Sequence, residues 1–474
     1  MALINLFENT YYPYDEILSS SDNNRSFLNE LESLLKLNWD LKKWFYSDDK
    51  ENDEAKQHFI NFEFNGFHIN NYIGIIKFKN IKFVIYPKVF KKNKDDTKPN
   101  TGLNQLLTVN LREWVSYYLN LKYPYPKFLK ITSAIDNPED VFKELFISIF
   151  ANYLVNTLNK NGYFKYEERT NDLSYITGRF DVQDYLCNKY PNGMLTKFKC
   201  TYSSFEFDNL LNQILKYTCK KLIKETKDNH NELALHQAIA KLSEVSDCKF
   251  RYQDCDKVKI DKIYSDYQIL LLMCKMFLLN LSPSYDNEDS KSFCFLFPSE
   301  LLFEAFVSGF IQEHFSNDES KIKLQNGEKY LIDKVVLNNE IIGNNIFHMF
   351  LDILYENKKS NKKYILDAKY KLIDSFISKT NDQIVENIKV DVKQPDLYQL
   401  IAYAIKWNTT KVYLLYPQSY MQKIGEKTLI LKCEWGDEKN IEIGIVKVPY
   451  VFLNENDLKE QELRLVKIIK HILN

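Results

Sequence analysis

The chain has 474 residues, 45% hydrophobic and 15% aromatic, which is more than one ordinary core can use and enough for two or three. Its formal charge is −1 with a pI near 6.7, so no global basic field marks a polyanion binder, and any grip on nucleic acid has to be local or shared with a partner. Eight cysteines at irregular spacing without a C-x-x-C pair argue against a zinc or disulfide framework, and no apolar run reaches membrane length; the expectation is a cytoplasmic protein without membrane contact.

In chain order, residues 1–56 are expected to form an N-terminal helical extension, because 22–45 place apolar residues at three- and four-residue spacing behind a polar start. The period then shortens. Residues 57–90 alternate apolar and polar positions with turn-like breaks, which predicts a small antiparallel sheet or barrel ending at Pro87. KKNKDDTKPNTG, residues 91–102, reads as a projecting loop, so 57–102 form a small β region. Residues 103–290 read as a mainly helical middle domain, interrupted by SYITGRFDV with Gly178 and Arg179. No G-x-x-x-x-G-K-[ST] motif occurs, so the chain is not itself an NTPase of that class. Residues 291–474 run helix, three strands, helix, three strands, helix, which predicts an α/β domain with a mixed sheet flanked by helices. The expected fold class is therefore α+β and multidomain.

The chemistry concentrates in this last part. YILDAKYKL sets Asp367 and Lys369 two apart inside an apolar run, so on a strand both point to the face of Ile365. HMFLDILY puts Asp352 on a preceding strand, and the polar stretch between the two reads as a hairpin that brings Asp352 near Asp367. Two close carboxylates on apolar strands need a divalent cation or a lysine to compensate them, and hard oxygen ligands select Mg2+, or Mn2+ as a substitute. Glu304 sits in an otherwise apolar helix upstream as a candidate to support a second metal or the lysine, and Gln399 and Tyr403 share one face of a helix downstream, placed to position the site or the phosphate.

Each residue alone has an ordinary explanation as a satisfied polar or solvated side chain. Their joint order points to metal-assisted phosphodiester hydrolysis, with carboxylates holding the metal and a lysine steadying the attacking water. A second acidic-x-Lys triplet, Asp391 and Lys393, lies just before a proline and a helix and ranks lower.

LLFEAFV, FLDILY, ILDAKYKL and the Gln399–Tyr403 helix together resemble the PD-(D/E)xK nucleases, with Leu351-Asp352 in place of Pro-Asp. More narrowly they resemble the McrC family, the nuclease subunit of McrBC-type restriction systems. NYIGIIKFKNIKFVIYPKVF resembles that family's N-terminal strands, the segment ending at Gly178-Arg179 its Gly-Arg motif, and Asp208 with Asn212 its D-x-x-x-N helix. LlaJI-type restriction proteins share this layout, and both assignments stay open here.

The resemblance implies a PD-(D/E)xK endonuclease domain over 291–474 and a separate McrB-like AAA+ GTPase hexamer, through which alone GTP enters. It also implies double-stranded DNA, methylated or unmodified, as substrate. The N-terminal strands and loop of 57–102 would dock the partner, and Arg179 would contact it or hold the fold by a salt bridge. A stand-alone Mg2+-dependent nuclease and a non-catalytic interaction subunit are the alternatives.

Overall fold

The computed structural model describes residues 2–17, 25–46, 58–93, 96–99, 103–122, 138–261, 264–280, 293–338, 340–373, 380–420, 428–435 and 439–473. The chain divides into two compact units, one of Met1–Trp39, Asp49–Leu145 and Phe293–Asn474, the other of Asp40–Asp48 and Phe146–Ser292.

The first unit opens with β1 (Ala2–Phe7) and β2 (Thr10–Pro13), followed by the helix Arg25–Tyr46 and then β3 (Ile60–Phe62), β4 (Gly66–Ile69), β5 (Tyr72–Phe78) and β6 (Ile81–Tyr86). The expected helix is present, but two strands, Ala2–Phe7 and Thr10–Pro13, precede it. β1 lies parallel to β6 with Ile4 opposite Phe83, and β2 pairs antiparallel with β4. A parallel neighbour distant in sequence leaves no hairpin turn to read, which is why this strand escapes a local pattern.

β5 and β6 form the expected hairpin, and every residue of β6 is buried. Gly74 shows why the sequence has glycine there. Its φ is +145°, and a Cβ would lie 2.0 Å from the Phe295 carbonyl oxygen of the adjoining strand. The loop 91–102 lies partly outside the described residues, and within it Tyr12 OH donates to the Thr97 carbonyl at 2.7 Å.

The second unit contains β7 (Lys165–Leu173), β8 (Arg179–Phe180) and β9 (Phe198–Glu206) in the order β7-β9-β8, with the helices Leu210–Ile223, Asn229–Lys241 and Ser265–Asn280. The mainly helical expectation omits this sheet, whose strands are too polar to show a buried face. The helices meet through Leu211, Leu215, Cys219, Leu235, Leu270 and Cys274, all buried. Asp208 and Asn212 brace the entry to this bundle: Asp208 accepts from Gln213 Nε2 at 2.8 Å and Ser246 N at 3.0 Å, and Asn212 Nδ2 donates to the Tyr163 and Phe207 carbonyls. Arg179 is exposed on β8 opposite Thr201.

The remaining strands return to the first unit: β10 (Phe293–Pro298), β11 (Ser320–Leu337), β12 (Glu340–Asn357), β13 (Lys362–Ala368), β14 (Lys411–Pro417), β15 (Leu429–Trp435) and β16 (Lys439–Val448). β10 joins β5 to complete a sheet of order β1-β6-β5-β10, so these sheets are open rather than a closed barrel.

The other six make a mixed sheet, β11-β12-β13-β14-β16-β15, parallel at its centre and antiparallel at both sides, as the α/β reading expects. The helix Gln394–Trp407 packs Leu400, Tyr403, Ala404 and Trp407 onto Ile365, Val412, Leu414 and Ile443. The helix Leu103–Lys122 locks onto the segment after β16. Trp114 stacks on Tyr450 at 4.2 Å and donates to its carbonyl at 2.9 Å, and Asn110 exchanges two hydrogen bonds with Phe452.

Candidate active site

β12 and β13 pair antiparallel with Ile353 opposite Leu366, and continuing this register by one residue sets Asp352 opposite Asp367 on one face of the sheet. That face is the one carrying Ile365, covered by the helix Gln394–Trp407. The alternation that keeps Ile365 in the core therefore forces the Asp367 carboxylate under the helix, where it is 2% exposed. Asp352 Oδ2 accepts the Ala368 N–H at 2.8 Å.

Lys369 leaves the strand on the same side and sets Nζ 2.7 Å from Asp367 Oδ2 and 3.4 Å from Gln399 Oε1. Gln399 Nε2 donates to Tyr403 OH at 2.7 Å, one helical turn away, and Tyr403 OH donates to the Phe350 carbonyl at 2.5 Å. Four of the six residues singled out in the sequence, Asp367, Lys369, Gln399 and Tyr403, thus form one connected chain of contacts, with Asp352 opposite Asp367 on the neighbouring strand.

Glu304, on the helix Ser299–Phe315, stands nearby: its charge acts on Asp352, and its Oε1 accepts from Gln325 Nε2 at 3.2 Å. Gln325 was not legible from pattern. It occupies a left-handed position, φ 45°, beside a β-bulge between Asn326 and Lys329, a device that re-aims side chains at the edge of a sheet. Asp396 also escaped the sequence reading; it accepts from Lys371 Nζ at 2.5 Å and adds its field to Asp367 and Lys369. The competing triplet is not a strand feature, since Asp391 ends the helix Asn381–Asp391 and Lys393 precedes the next one.

Burial pushes the Asp352 carboxyl well above the usual carboxylate range, and the charges of Asp367 and Glu304 push it further. Burial also raises Asp367, against the opposing pull of the Lys369 ammonium. For Lys369 burial acts against the charge, but Asp367 and Asp352 together hold its pKa above the ordinary lysine value.

Asp367 keeps acceptor capacity: among the described residues its buried Oδ2 meets no donor besides the Lys369 ammonium. Two aspartates on adjacent strands with raised pKa values and spare oxygens fit a hard divalent cation that keeps several of its waters. Among the described residues no three His, Cys, Asp or Glu side chains converge as a ready ligand set, so Glu304 does not complete a three-carboxylate cage.

A family model for the McrBC 5-methylcytosine restriction system component matches residues 67–417. The chain belongs to this family. The match spans the core strands β5 and β6, the middle unit and the whole Asp352–Tyr403 constellation, so the McrBC family assignment and the geometry concern the same residues.

Among solved structures, the chain is similar to one in the half-complex from a tetradecameric assembly of Thermococcus gammatolerans McrB AAA+ hexamers with bound McrC. The identity is 18% and the TM-score 0.51, covering 99% of this chain and 100% of the other. A chain of the Thermococcus gammatolerans McrBC complex aligns over 67% of this chain and 89% of its own length, with 18% identity and a TM-score of 0.38. No curated protein is significantly similar to the chain. Among the described residues no helix is long and apolar enough to cross a membrane.

Proposed function

We propose that this McrBC family member is the DNA-cleaving subunit of its restriction system, a Mg2+-dependent endonuclease of the PD-(D/E)xK class acting on double-stranded DNA. The observation that carries the reading is the placement of Asp352 and Asp367 side by side on adjacent strands with the Lys369 ammonium 2.7 Å from Asp367.

Asp352 and Asp367 would hold the cation. Once bound, the cation polarises the scissile phosphate and acidifies the attacking water. The Lys369 ammonium, fixed between Asp367 and Gln399, orients that water and offsets the negative charge that grows on the phosphate. Tyr403 and Gln399 hold the lysine in place from the helix above, through the Phe350 carbonyl.

The partner in this proposal is a McrB-like AAA+ GTPase hexamer, which supplies the GTPase that this chain, lacking a P-loop, does not contain. Beside the docking surface expected on residues 57–102, where Phe64 is 97% exposed, the middle unit offers a second candidate surface. There Tyr166, Tyr175, Ile176, Leu186, Tyr190 and Phe205 are large apolar side chains more than half exposed around β7–β9, an arrangement that marks a protein-binding surface.

The test is cleavage of methylated and unmethylated plasmid by the purified chain with Mg2+, alone and with its AAA+ partner and GTP. Cutting only with partner and GTP supports the subunit reading. Cutting by the chain alone replaces it with a stand-alone nuclease, and no cutting in any combination leaves an interaction subunit.

A further inference from the structure

Glu8 lies outside the span of the family match, just after β1, and is fully buried. Its Oε1 accepts the Lys88 N–H at 2.9 Å and the Tyr370 hydroxyl at 2.6 Å, and its Oε2 accepts from the Ser299 hydroxyl. Lys88 extends above the ring of Tyr370, Nζ 4.3 Å from its centroid, and donates to Asn71 Oδ1 at 3.0 Å. A buried carboxylate is costly unless donors and a counter-charge satisfy it, and here three donors and one lysine converge on Glu8.

What this carboxylate joins is informative. Tyr370 directly follows Lys369, and the Lys371 N–H donates to the Lys369 carbonyl at 2.8 Å, so the chain turns tightly around Tyr370. The turn sends Lys369 toward the aspartates and Tyr370 into the core between Phe303 and Tyr450. Ser299 begins the helix that carries Glu304. One carboxylate therefore ties the strand exit bearing Lys369 to the start of the helix bearing Glu304.

We infer that Glu8 is a positioning residue for the candidate active site, acting through Tyr370 on Lys369 and through Ser299 on the Glu304 helix; this rests on the nuclease reading above. The network is fully satisfied, and satisfied buried networks fix a single geometry where apolar contacts allow several. It also assigns the N-terminal strand a purpose that a merely capping strand would not need.

The experiment uses the full chain and Mn2+ as the metal probe, with Mn2+ affinity, DNA affinity, the cleavage rate with partner and GTP, and the melting temperature all measured for Tyr370→Phe and Glu8→Gln. Tyr370→Phe keeps the ring and removes only the hydroxyl, so it carries the test should Glu8→Gln not fold. Expected is a folded Tyr370→Phe protein with unchanged DNA affinity, cutting about tenfold slower and binding Mn2+ about tenfold more weakly, the scale seen when groups that orient metal ligands are lost.

In a Lys369→Met background the added Tyr370→Phe change should have less than about a twofold further effect on cutting, because the two act through one element. A folded Tyr370→Phe protein with normal Mn2+ affinity and cutting rate would reduce the network to a structural role, and independent effects in the Lys369→Met background would do the same. A wild-type chain that binds Mn2+ but never cuts contradicts the nuclease reading while the Mn2+ affinities still test the positioning. A wild-type chain that binds no Mn2+ overturns both.

Discussion

Asp352 and Asp367 show how a sheet can hold charge that it does not neutralise. One lysine serves two carboxylates, and burial raises both above the ordinary aspartate value. In the metal-free chain these two groups therefore hold more protons folded than unfolded above about pH 3.9, the ordinary aspartate value, and their contribution to stability falls as pH rises through the window up to the raised values. Asp352→Asn keeps an acceptor for the Ala368 N–H and removes one of the crowded charges. In EDTA at neutral pH it should be more stable than wild type, by about 1 kcal/mol, with the gain shrinking as pH is lowered; urea melts at two pH values measure this. A loss of stability at neutral pH would show that Lys369 already compensates both acids.

Divalent-cation affinity should move in the opposite sense, weakening as pH falls, since the metal and protons compete for the same oxygens. At this scale the sequence was informative where alternation decides the matter: Asp367, Lys369 and Ile365 share a face as the pattern requires. It was silent on Glu8 and Tyr370, whose contact spans 362 positions, and on Gln325, whose direction depends on a positive φ.

Among the elements, β12 and β13 were legible because a short polar connection joins two strands of opposite polarity pattern, and the helix Gln394–Trp407 because its apolar face repeats at helical spacing. β1 was not, since its partner β6 is parallel and remote, and β7 was not, since its side chains are largely polar and exposed, which leaves β9 beside it with a single buried residue, Cys200. The helix Asn381–Asp391 also passed unread, with one buried residue, Asp391, and therefore almost no apolar face.

Gly74 tests whether the close approach of β5 to β10 holds the N-terminal sheet. Gly74→Ala drives a methyl group into the Phe295 carbonyl at a backbone angle that disfavours a side chain, and should cost about 3 kcal/mol in chemical denaturation. A change under about 0.5 kcal/mol would mean that the two strands separate easily.

For the whole molecule, the proposed function puts the chemistry in the mixed sheet of the first unit and offers the exposed apolar surface of the second as a candidate for partner contact. Composition implied the multidomain size, and the near-neutral charge left any grip on nucleic acid local or shared with a partner; the partner itself came from the family resemblance, and the alternation that marks 57–90 as strands does not say which faces are covered. Replacing Tyr175 and Ile176 with serine should weaken binding to the AAA+ hexamer by about tenfold or more, the loss expected when two exposed apolar anchors are removed, without changing the melting temperature.

On the proposed function, Asp367 serves cleavage and nothing else that the complex does. Asp367→Ala, assembled with the AAA+ partner and supplied with GTP, Mg2+ and plasmid, should stimulate GTP hydrolysis as wild type does and leave the DNA intact. Continued cutting by the variant, or equal loss of cutting and GTPase stimulation in a folded protein, would contradict the account.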